Sequence, residues 1–557
     1  MKSFLTKIAL LIPKNKRKKL PFVFGISLLN SILDFISIAL LAPYLLLLFD
    51  ANESIKFLSD TFSIQVTTTH IIWSLLFLVF FYALKNFIQT RIIFKQSKFV
   101  YSIASDISEQ LMKNYFSGSY IEQVQQDKGS ILRDFQQLPM LFGTYILLSL
   151  YYIISEAFIV FVFILLGFYF QPLATLFSIS FILLTAFIIL KIRNKKVTSL
   201  NNEISQTYKE SLNQIMNAFN GFLQIKSAKS EQAFEDKFKR SNGKHNEQLS
   251  LLSIYKQSNI RYFETFAIVV IAIIILYVQV NGMEFINMFI LSFLISSIIK
   301  FIPSFNKIVN SVIDIRSNRY TVDILSGYNL YPNKENSSKT PHFLKSIRLQ
   351  DVSFSYDKNT PVIDNLSMEI SKGNFVAITG PSGIGKTTLL HLCTGVLAPT
   401  KGNVLIDSQI VENTAFFDFV SIVPQQPFLF KGTLLENIVM KKSTDIDTSF
   451  IFKLLEVFDL NQWFKGLEKG LDTELMLDSK TISGGQKQRI ALIRALYQKP
   501  NLLLLDEATN QLDTALEIKV LEYLKELVEK ESLTIIAVSH NKALLDVATI
   551  HLDLKNN

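Results

Sequence analysis

The chain has 557 residues, 49% of them hydrophobic, and a net charge of +9. Its mean hydropathy of +0.29 is high for a soluble enzyme, and the apolar residues are concentrated before about residue 310. The length allows two or three domains, and the single cysteine, Cys393, excludes an intrachain disulfide framework and a Cys-based zinc cluster.

The chain opens on a basic stretch: Lys2, Lys7, Lys14, Lys16, Arg17, Lys18 and Lys19, with no acid within 1–20. Such a cluster just before a long apolar run reads as a cytoplasmic anchor rather than a nucleic-acid arm. Elsewhere no patch interleaves aromatic and basic residues, so no nucleic-acid partner is expected. The first apolar segment is too long for a cleavable signal peptide and lacks a clear small-residue cleavage site.

Six apolar segments follow, each near the roughly 20 residues needed to cross a bilayer. They run from Phe22 to Phe49, Ile71 to Phe87, Leu138 to Tyr169, Leu173 to Ile192, Phe263 to Val280 and Phe285 to Ile302. Gln171-Pro172 breaks the third from the fourth. The long polar stretches after the second and fourth segments carry Arg91, Lys95, Lys98 and Lys113, then Lys191, Arg193, Lys195 and Lys196. The other connections are short or poor in Lys and Arg. This bias predicts that both termini and both long loops are cytoplasmic. Leu212 to Phe238 shows helical apolar spacing (Ile215, Phe219, Phe222, Ile225), as if membrane helices continued into the cytoplasm. Asp34 and Glu156 fall inside membrane segments, where acids are costly and pair between helices, approach the interface or contact a substrate. Lys85 and Lys300 sit toward cytoplasmic ends, where long side chains can reach the interface.

Tyr328 to Pro341 is polar, with Pro332 and Pro341 as breakers, and reads as a linker. The expected organisation is a membrane domain over 1–327, a linker over 328–342 and a nucleotide domain over 343–557. In the last, β-rich runs (Ile347–Tyr356, Phe375–Thr379, Val420–Val423, Leu502–Leu505, Leu533–Val538) alternate with helical ones, as in an α/β domain with a largely parallel sheet.

The chemistry begins at Gly380-Pro381-Ser382-Gly383-Ile384-Gly385-Lys386-Thr387, which fits G-x-x-x-x-G-K-[ST] between a predicted strand and a predicted helix that includes Thr388. Glycines let several backbone N–H groups face one anion, and the helix adds its positive end. Lys386 reaches terminal phosphates, and the Thr387 hydroxyl can ligate Mg²⁺. Tyr356 ends the strand upstream, either stacking on a purine base or simply packing an edge strand. Leu502 to Leu505 is an apolar strand ending in Asp506, placed to hold Mg²⁺, and Glu507, placed to polarise a water attacking the terminal phosphate. Ser483-Gly484-Gly485-Gln486 opens a helix and makes a second anion cradle.

With these motifs in this order, nearly the whole chain resembles ATP-binding cassette (ABC) transporters. Gly380–Thr387 matches the Walker A loop, Leu502–Asp506 the Walker B strand and Ser483–Gln486 the family signature. Val423-Pro424-Gln425 matches the Q-loop, implying that Gln425 ligates Mg²⁺ and senses the γ-phosphate. Leu512-Asp513 matches the end of the D-loop, and His540 the switch histidine on the γ-phosphate. The resemblance implies a polytopic membrane domain of six helices fused to an α/β P-loop NTPase domain, with ATP and Mg²⁺ as ligands. It further implies a multi-pass protein of a bacterial inner or plasma membrane, cassette and termini inside. One chain carries one cassette, so it looks like a half-transporter whose partner is a second half-transporter, a homodimer being favoured. The signature of each chain would cap ATP held by the other, and loop helices, including one near Ser227 to Phe234, would couple cassette to membrane.

The order, membrane domain first, resembles exporters, and leader-peptide cleavage is not expected. Ser31 to Pro43 and Pro303 to Ile308 resemble more weakly the flippases for lipid-linked oligosaccharides, so membrane lipid is an expected partner. Other lipids, peptides and hydrophobic small molecules stay open, as does an ATP-gated channel. A soluble cassette ATPase acting on ribosomes or DNA would have tandem cassettes or long coiled coils and lack the six-span block. Four positions depart from the family pattern: Ile482 before the signature serine, Asn510-Gln511 in place of Ser-Ala in the D-loop, Ser539 before His540, and a stretch over 472–479 without the usual Gly-Glu turn.

Overall fold

The computed structural model describes all residues except 1, 50–67, 119, 171, 282–284, 329, 331–342, 358–359, 411–418, 442–444, 476–481 and 555–557. The side chains of further residues, chiefly within 38–71, 167–198 and 266–300, also lie outside the description. The chain divides into two units: 1–116 with 126–333, and 117–125 with 334–557.

The first unit is helical. An N-terminal helix α1 (Lys2–Leu11) precedes α2 (Leu20–Phe49), α3 (Thr68–Ser117), α4 (Leu148–Phe170), α5 (Pro172–Asn220), α6 (Glu231–Asn281), α7 (Phe285–Ser317) and α8 (Arg319–Gly327). The predicted apolar segments fall on α2 to α7, and the long loops are the helices themselves. The helices α3, α5 and α6 are 50, 49 and 51 residues long, far more than the roughly 20 that a bilayer needs. Stretches over 14–37, 72–117 and 128–166 are long and apolar enough to span among the described residues. The side chains of most of the other three predicted spans, Lys300 among them, and the break at Gln171 lie outside the described residues.

Two departures from plain helix are explicable. Arg133–Gln137 and Phe142–Leu147 are π-helical turns flanking Leu138–Leu141. Pro139 lies between them and has no N–H for the carbonyl one turn back, so the ladder widens. The loop helix expected near Ser227–Phe234 is instead a break. A short helix, Phe222–Ser227, closes with Lys229 at φ 52° and Ser230 N–H on the Ile225 carbonyl, and α6 starts at Glu231.

Charged and polar groups of this unit close on one another. Asp34 of α2 pairs with Lys85 of α3 at 2.8 Å and accepts from Gln89 Nε2 at 2.8 Å, while Lys85 also donates to Ser37 Oγ. Lys85 is thus held by an acid between helices rather than reaching out to the interface. Glu156 of α4 binds Lys307 at 2.9 Å and Ser304 at 2.8 Å, both on α7. Asn259 of α6 donates to Asn310 of α7, and Lys256 pairs with Asp314. The interhelical alternative for Asp34 and Glu156 is the one observed.

The second unit is an α/β cassette with two larger sheets. One is antiparallel, in the order β2-β1-β4-β5, built from β1 (Ser346–Phe354), β2 (Ile363–Ser371), β4 (Lys401–Ile406) and β5 (Gln409–Ile410). The expectation of a largely parallel sheet did not include it, because β1 reads like any other short β-rich run. The other is parallel, β11-β3-β10-β9-β6, with β3 (Phe375–Thr379), β6 (Val420–Val423), β9 (Leu502–Asp506), β10 (Thr534–Val538) and β11 (Ile550–Asp553). Its central strands read as unbroken apolar runs because both faces are covered (β10 is buried throughout). A two-stranded ribbon pairs β7 (Gly432–Thr433) with β8 (Glu474–Leu475). The helices used below are α9 (Lys386–Cys393), α10 (Gly484–Tyr497), α11 (Thr514–Glu531) and α12 (Lys542–Val547). The short helix Tyr120–Gln125, from the first long loop, belongs to this unit, with Ile121 against its core.

Candidate functional site

Strand order builds the site. β3, β10 and β9 are adjacent and parallel, with Val538 opposite both Ile378 and Asp506. Their C-terminal ends therefore lie side by side, and β6 adds the end at Val423 next to β9. Ligands of open α/β sheets bind at such carboxyl ends. The loop after β3, Asp506 and Glu507 after β9, His540 after β10 and Gln425 after β6 all issue from this one edge.

The loop 380–385 runs into α9 through glycines that L side chains could not replace. Gly380, Gly383 and Gly385 have φ of 144°, 84° and 105°. A Cβ on Gly385 would also meet Val362 Cγ1 at 2.8 Å. Lys386 folds back over the loop, donating to the Gly380 and Pro381 carbonyls at 2.7 and 3.2 Å, and its Nζ is 2.9 Å from His540 Nε2. Thr387 Oγ1 donates to Asp506 Oδ2 at 2.9 Å. Tyr356 is half exposed, with its hydroxyl 3.2 Å from Thr388 Oγ1 and its ring edge-on to Phe354. A half-exposed aromatic ring therefore stands beside the first turn of α9.

Glu507 carries backbone strain at the site. Its φ of 51° is left-handed, a conformation that costs a non-glycine residue about 1–3 kcal/mol and persists where the surroundings enforce it. Its N–H bonds the Val538 carbonyl, and its Oε2 accepts from Gln425 Nε2 at 2.7 Å and Asn510 Nδ2 at 3.1 Å. Burial pushes the Asp506 carboxyl above the ordinary value; the Thr387 hydrogen bond opposes this and the neighbouring Glu507 adds to it.

Ser483 to Gln486 forms the N-terminus of α10. Ser483 Oγ accepts from Gln486 N–H and Gln486 Oε1 accepts from Ser483 N–H, a closed capping box. Gln511 packs on the two glycines: a Cβ would meet Gln511 Oε1 at 2.9 Å from Gly484, and the Gln511 carbonyl at 3.2 Å from Gly485. Asp513 caps α11 through Leu516 N–H. Among the described residues the signature helix is tied to the 507–513 segment through Gln511 and through Gln488, whose Nε2 is 3.5 Å from the Glu507 carbonyl. Of the altered stretch before the signature, 476–481 lies outside the described residues.

Three contributions were missed by sequence reasoning. Asn510, noticed only as an unusual D-loop residue, touches Glu507. Tyr120 reaches the site unit from the first long loop and packs edge-on against His391 of α9, ring centres 5.0 Å apart. Burial pushes the His391 imidazole below its ordinary value, and its Nδ1 has no partner. The third, the Glu517–Asn541 bond, was carried by no motif.

A phosphate-binding loop fused to a long-helical unit defines a membrane-associated nucleotide-binding protein. A family model described as the ABC transporter transmembrane region matches residues 22–302, and one described as ABC transporter matches 363–510. The chain belongs to the ABC transporters and is a multi-pass membrane protein. It is 37% identical over 205 residues to a lactococcin-G-processing and transport ATP-binding protein of Lactococcus lactis, covering 36% of this chain and 29% of that one. To ABC transporter B family member 29, chloroplastic, of Arabidopsis thaliana it is 37% identical over 196 residues, covering 34% and 31%. These matches span about a third of those relatives' own length. The solved structure of a bacterial Atm1-family ABC exporter with ATP bound is similar at a TM-score of 0.75 and 20% identity, over 94% of this chain and 93% of that one. At that identity the likeness concerns the fold.

Proposed function

We propose that this chain is an exporter-type half-transporter that hydrolyses ATP at a cassette interface shared with a second subunit, a homodimer being favoured. The reading is supported by the two anion cradles having different partners among the described residues. The 380–387 loop has Asp506, Glu507, Gln425 and His540 around it, while Ser483–Gln486 is tied by Gln511 to the segment beyond Glu507. A second chain's cradle completes each site.

The residues fit Mg²⁺. Thr387 and Asp506 offer hard oxygen donors 2.9 Å apart, Gln425 is bonded to the neighbouring Glu507, and no cluster of three His, Cys, Asp or Glu exists among the described residues. Such a sparse set suits a cation that takes most of its ligands from phosphate and water. When bound, Mg²⁺ offsets phosphate charge. The chain's own groups do the rest: backbone N–H groups of 380–387 and Lys386 orient the phosphates, and Tyr356 stacks on the base. Glu507 polarises the attacking water, and His540 holds the terminal phosphate.

ATP affinity that differs between open and closed cassette pairs biases the membrane helices. The cassette and both termini face the cytoplasm, supported by the Lys and Arg bias. For cargo the favoured reading is a lipid-like molecule or lipid-linked glycan, resting on the 31–43 and 303–308 stretches. Peptide export is the second reading, favoured by the similarity to lactococcin transport proteins. The test is Mg²⁺-dependent ATPase of the full chain in lipid nanodiscs, with lipid-linked oligosaccharide or apolar peptide added. Stimulation by the lipid-linked glycan alone supports the first reading, by peptide alone the second. Absence of any ATPase activity overturns both.

A further inference from the structure

We propose that Glu517 is a positioning residue for His540, acting through Asn541 and fixing the histidine to the segment that follows Glu507. The inference rests on His540 being the γ-phosphate contact.

Glu517 lies in the first turn of α11 and is 3% exposed. Its Oε2 accepts a hydrogen bond from Asn541 Nδ2, and its Oε1 has no partner. A buried carboxyl with an unused oxygen is expensive, and an apolar residue of like size would fill the space without that cost. The bond it does make therefore needs a reason, and its place supplies one. Asn541 directly follows His540. Its side-chain oxygen caps α12 through Ala543 N–H at 3.1 Å, and its own N–H bonds Ser539 Oγ at 3.0 Å. Ser539 is buried and its N–H reaches the Ile378 carbonyl of β3. So Ser539, the residue before the histidine, is fastened to the strand that feeds the phosphate loop. Among the described residues, Glu517 is the one side chain from another element that holds the residue after it.

The other end of this link is as firm. Glu517 N–H bonds the Asp513 carbonyl at 2.8 Å, and Asp513 caps α11. Asp513 ends the segment in which Asn510 touches Glu507 and Gln511 lies on the signature glycines. A shift of 507–513, when a second subunit engages it, moves the first turn of α11 and with it the Glu517–Asn541 bond. His540 then turns relative to Lys386, from which it is 2.9 Å. The pair makes histidine placement depend on the segment between Glu507 and the signature.

The test uses the full chain in lipid nanodiscs with Mg-ATP. It reads kcat, KM and binding of a non-hydrolysable ATP analogue for Glu517→Ala, Glu517→Gln and Asn541→Ala, each with and without His540→Ala. Glu517→Ala and Asn541→Ala each lower kcat about tenfold, with KM and analogue binding changed less than about threefold. Glu517→Gln keeps most of the rate, because its amide oxygen accepts the same bond. The two alanine variants combined are no worse than either alone, and neither lowers the residual rate of His540→Ala further. If Glu517→Ala does not fold, Asn541→Ala carries the same comparison. An equal loss with and without His540, or parallel changes in kcat and KM, marks a general structural role and overturns the proposal. Wild-type turnover in His540→Ala overturns the histidine assignment and this inference together; a loss there with none in Asn541→Ala overturns this inference alone.

Discussion

The two units treat polar groups in opposite ways. In the cassette, Lys386 and Thr387 open α9 and Asp506, Glu507 and His540 lie at or just past strand ends, and their bonds, Gln425 included, are ones a ligand can replace. In the membrane unit, Asp34 with Lys85 and Glu156 with Lys307 close on one another between helices. Water and phosphate can take over the bonds at a strand edge. Lipid cannot, so ionised groups among membrane helices must satisfy each other. The first arrangement leaves its groups open to a ligand, and the second fixes helix positions.

The sharpest test of that contrast is Glu507→Gln. It keeps a side chain of the same shape, and Gln425 and Asn510 can still donate to its carbonyl oxygen. The expected result is ATP binding within about twofold of wild type and turnover lowered about a thousandfold, close to 4 kcal/mol of barrier. Phosphate release and nucleotide binding measured side by side decide it. Undiminished hydrolysis would remove Glu507 as the base and with it the chemical half of the comparison.

Next comes the membrane unit. Asp34→Leu leaves Lys85 without its acid among apolar helices and should cost about 3 kcal/mol of stability. It is read as loss of the folded fraction on heating in detergent. Adding Lys85→Met to it should recover most of that loss, since an apolar pair of similar volume avoids the desolvation cost. If the single variant is as stable as wild type, the ion pair is dispensable to helix placement, and a substrate-facing role for Asp34 gains ground.

Why one unit was legible in the sequence and the other only in outline follows from the same contrast. Anion binding needs backbone geometry that few residues permit, so Gly380, Gly383 and Gly385 announce themselves at fixed spacing, while Gly484 and Gly485 leave room for Gln511. Strand ends follow from apolar runs, which placed Asp506 and His540 after strands, while strand order brings those ends to one edge. Helix spans were visible as apolar length. Which helix faces which was not, because rotation by one residue leaves length and composition unchanged. Lys85 therefore read as a surface-seeking lysine until α3 was seen to bring it to Asp34. Within the cassette the misses have the same cause. Glu517 and Tyr120 make tertiary contacts that no local pattern encodes, Asn510 meets Glu507 only because the turn between them folds back, and the antiparallel sheet differs from the parallel one in pairing rather than composition.

Asn510→Ser is a smaller and more local test. Glu507 Oε2 has two amide donors, and this change removes one while leaving Gln425. A single exposed hydrogen bond to a charged group is worth about 1–1.5 kcal/mol, so kcat should fall about tenfold or less. Asn510→Asp, which sets a carboxylate against Glu507, should fall further. Equal rates in all three proteins would show that Asn510 does not orient the base.

The smallest effect concerns stability and separates the two units by pH. Burial raises the Asp506 carboxyl, with Glu507 adding to the effect and Thr387 opposing it. A carboxyl raised in the folded state keeps its proton longer there than in the unfolded chain. Its contribution to stability is therefore fully present below the ordinary Asp value of about 3.9 and is lost as pH rises through the raised one. Asp506→Asn cannot lose it. Without nucleotide the variant should melt slightly higher than wild type at neutral pH, and the two curves should converge toward acid. Mg-ATP should reverse the order at neutral pH, because the charge that destabilises the empty site is the one that favours a bound cation. Melting curves of both proteins across pH, with and without Mg-ATP, read all of this. A variant that melts lower than wild type without nucleotide at neutral pH would mean that Asp506 is already satisfied by its neighbours, and the cassette edge would then resemble the closed pairs of the membrane unit.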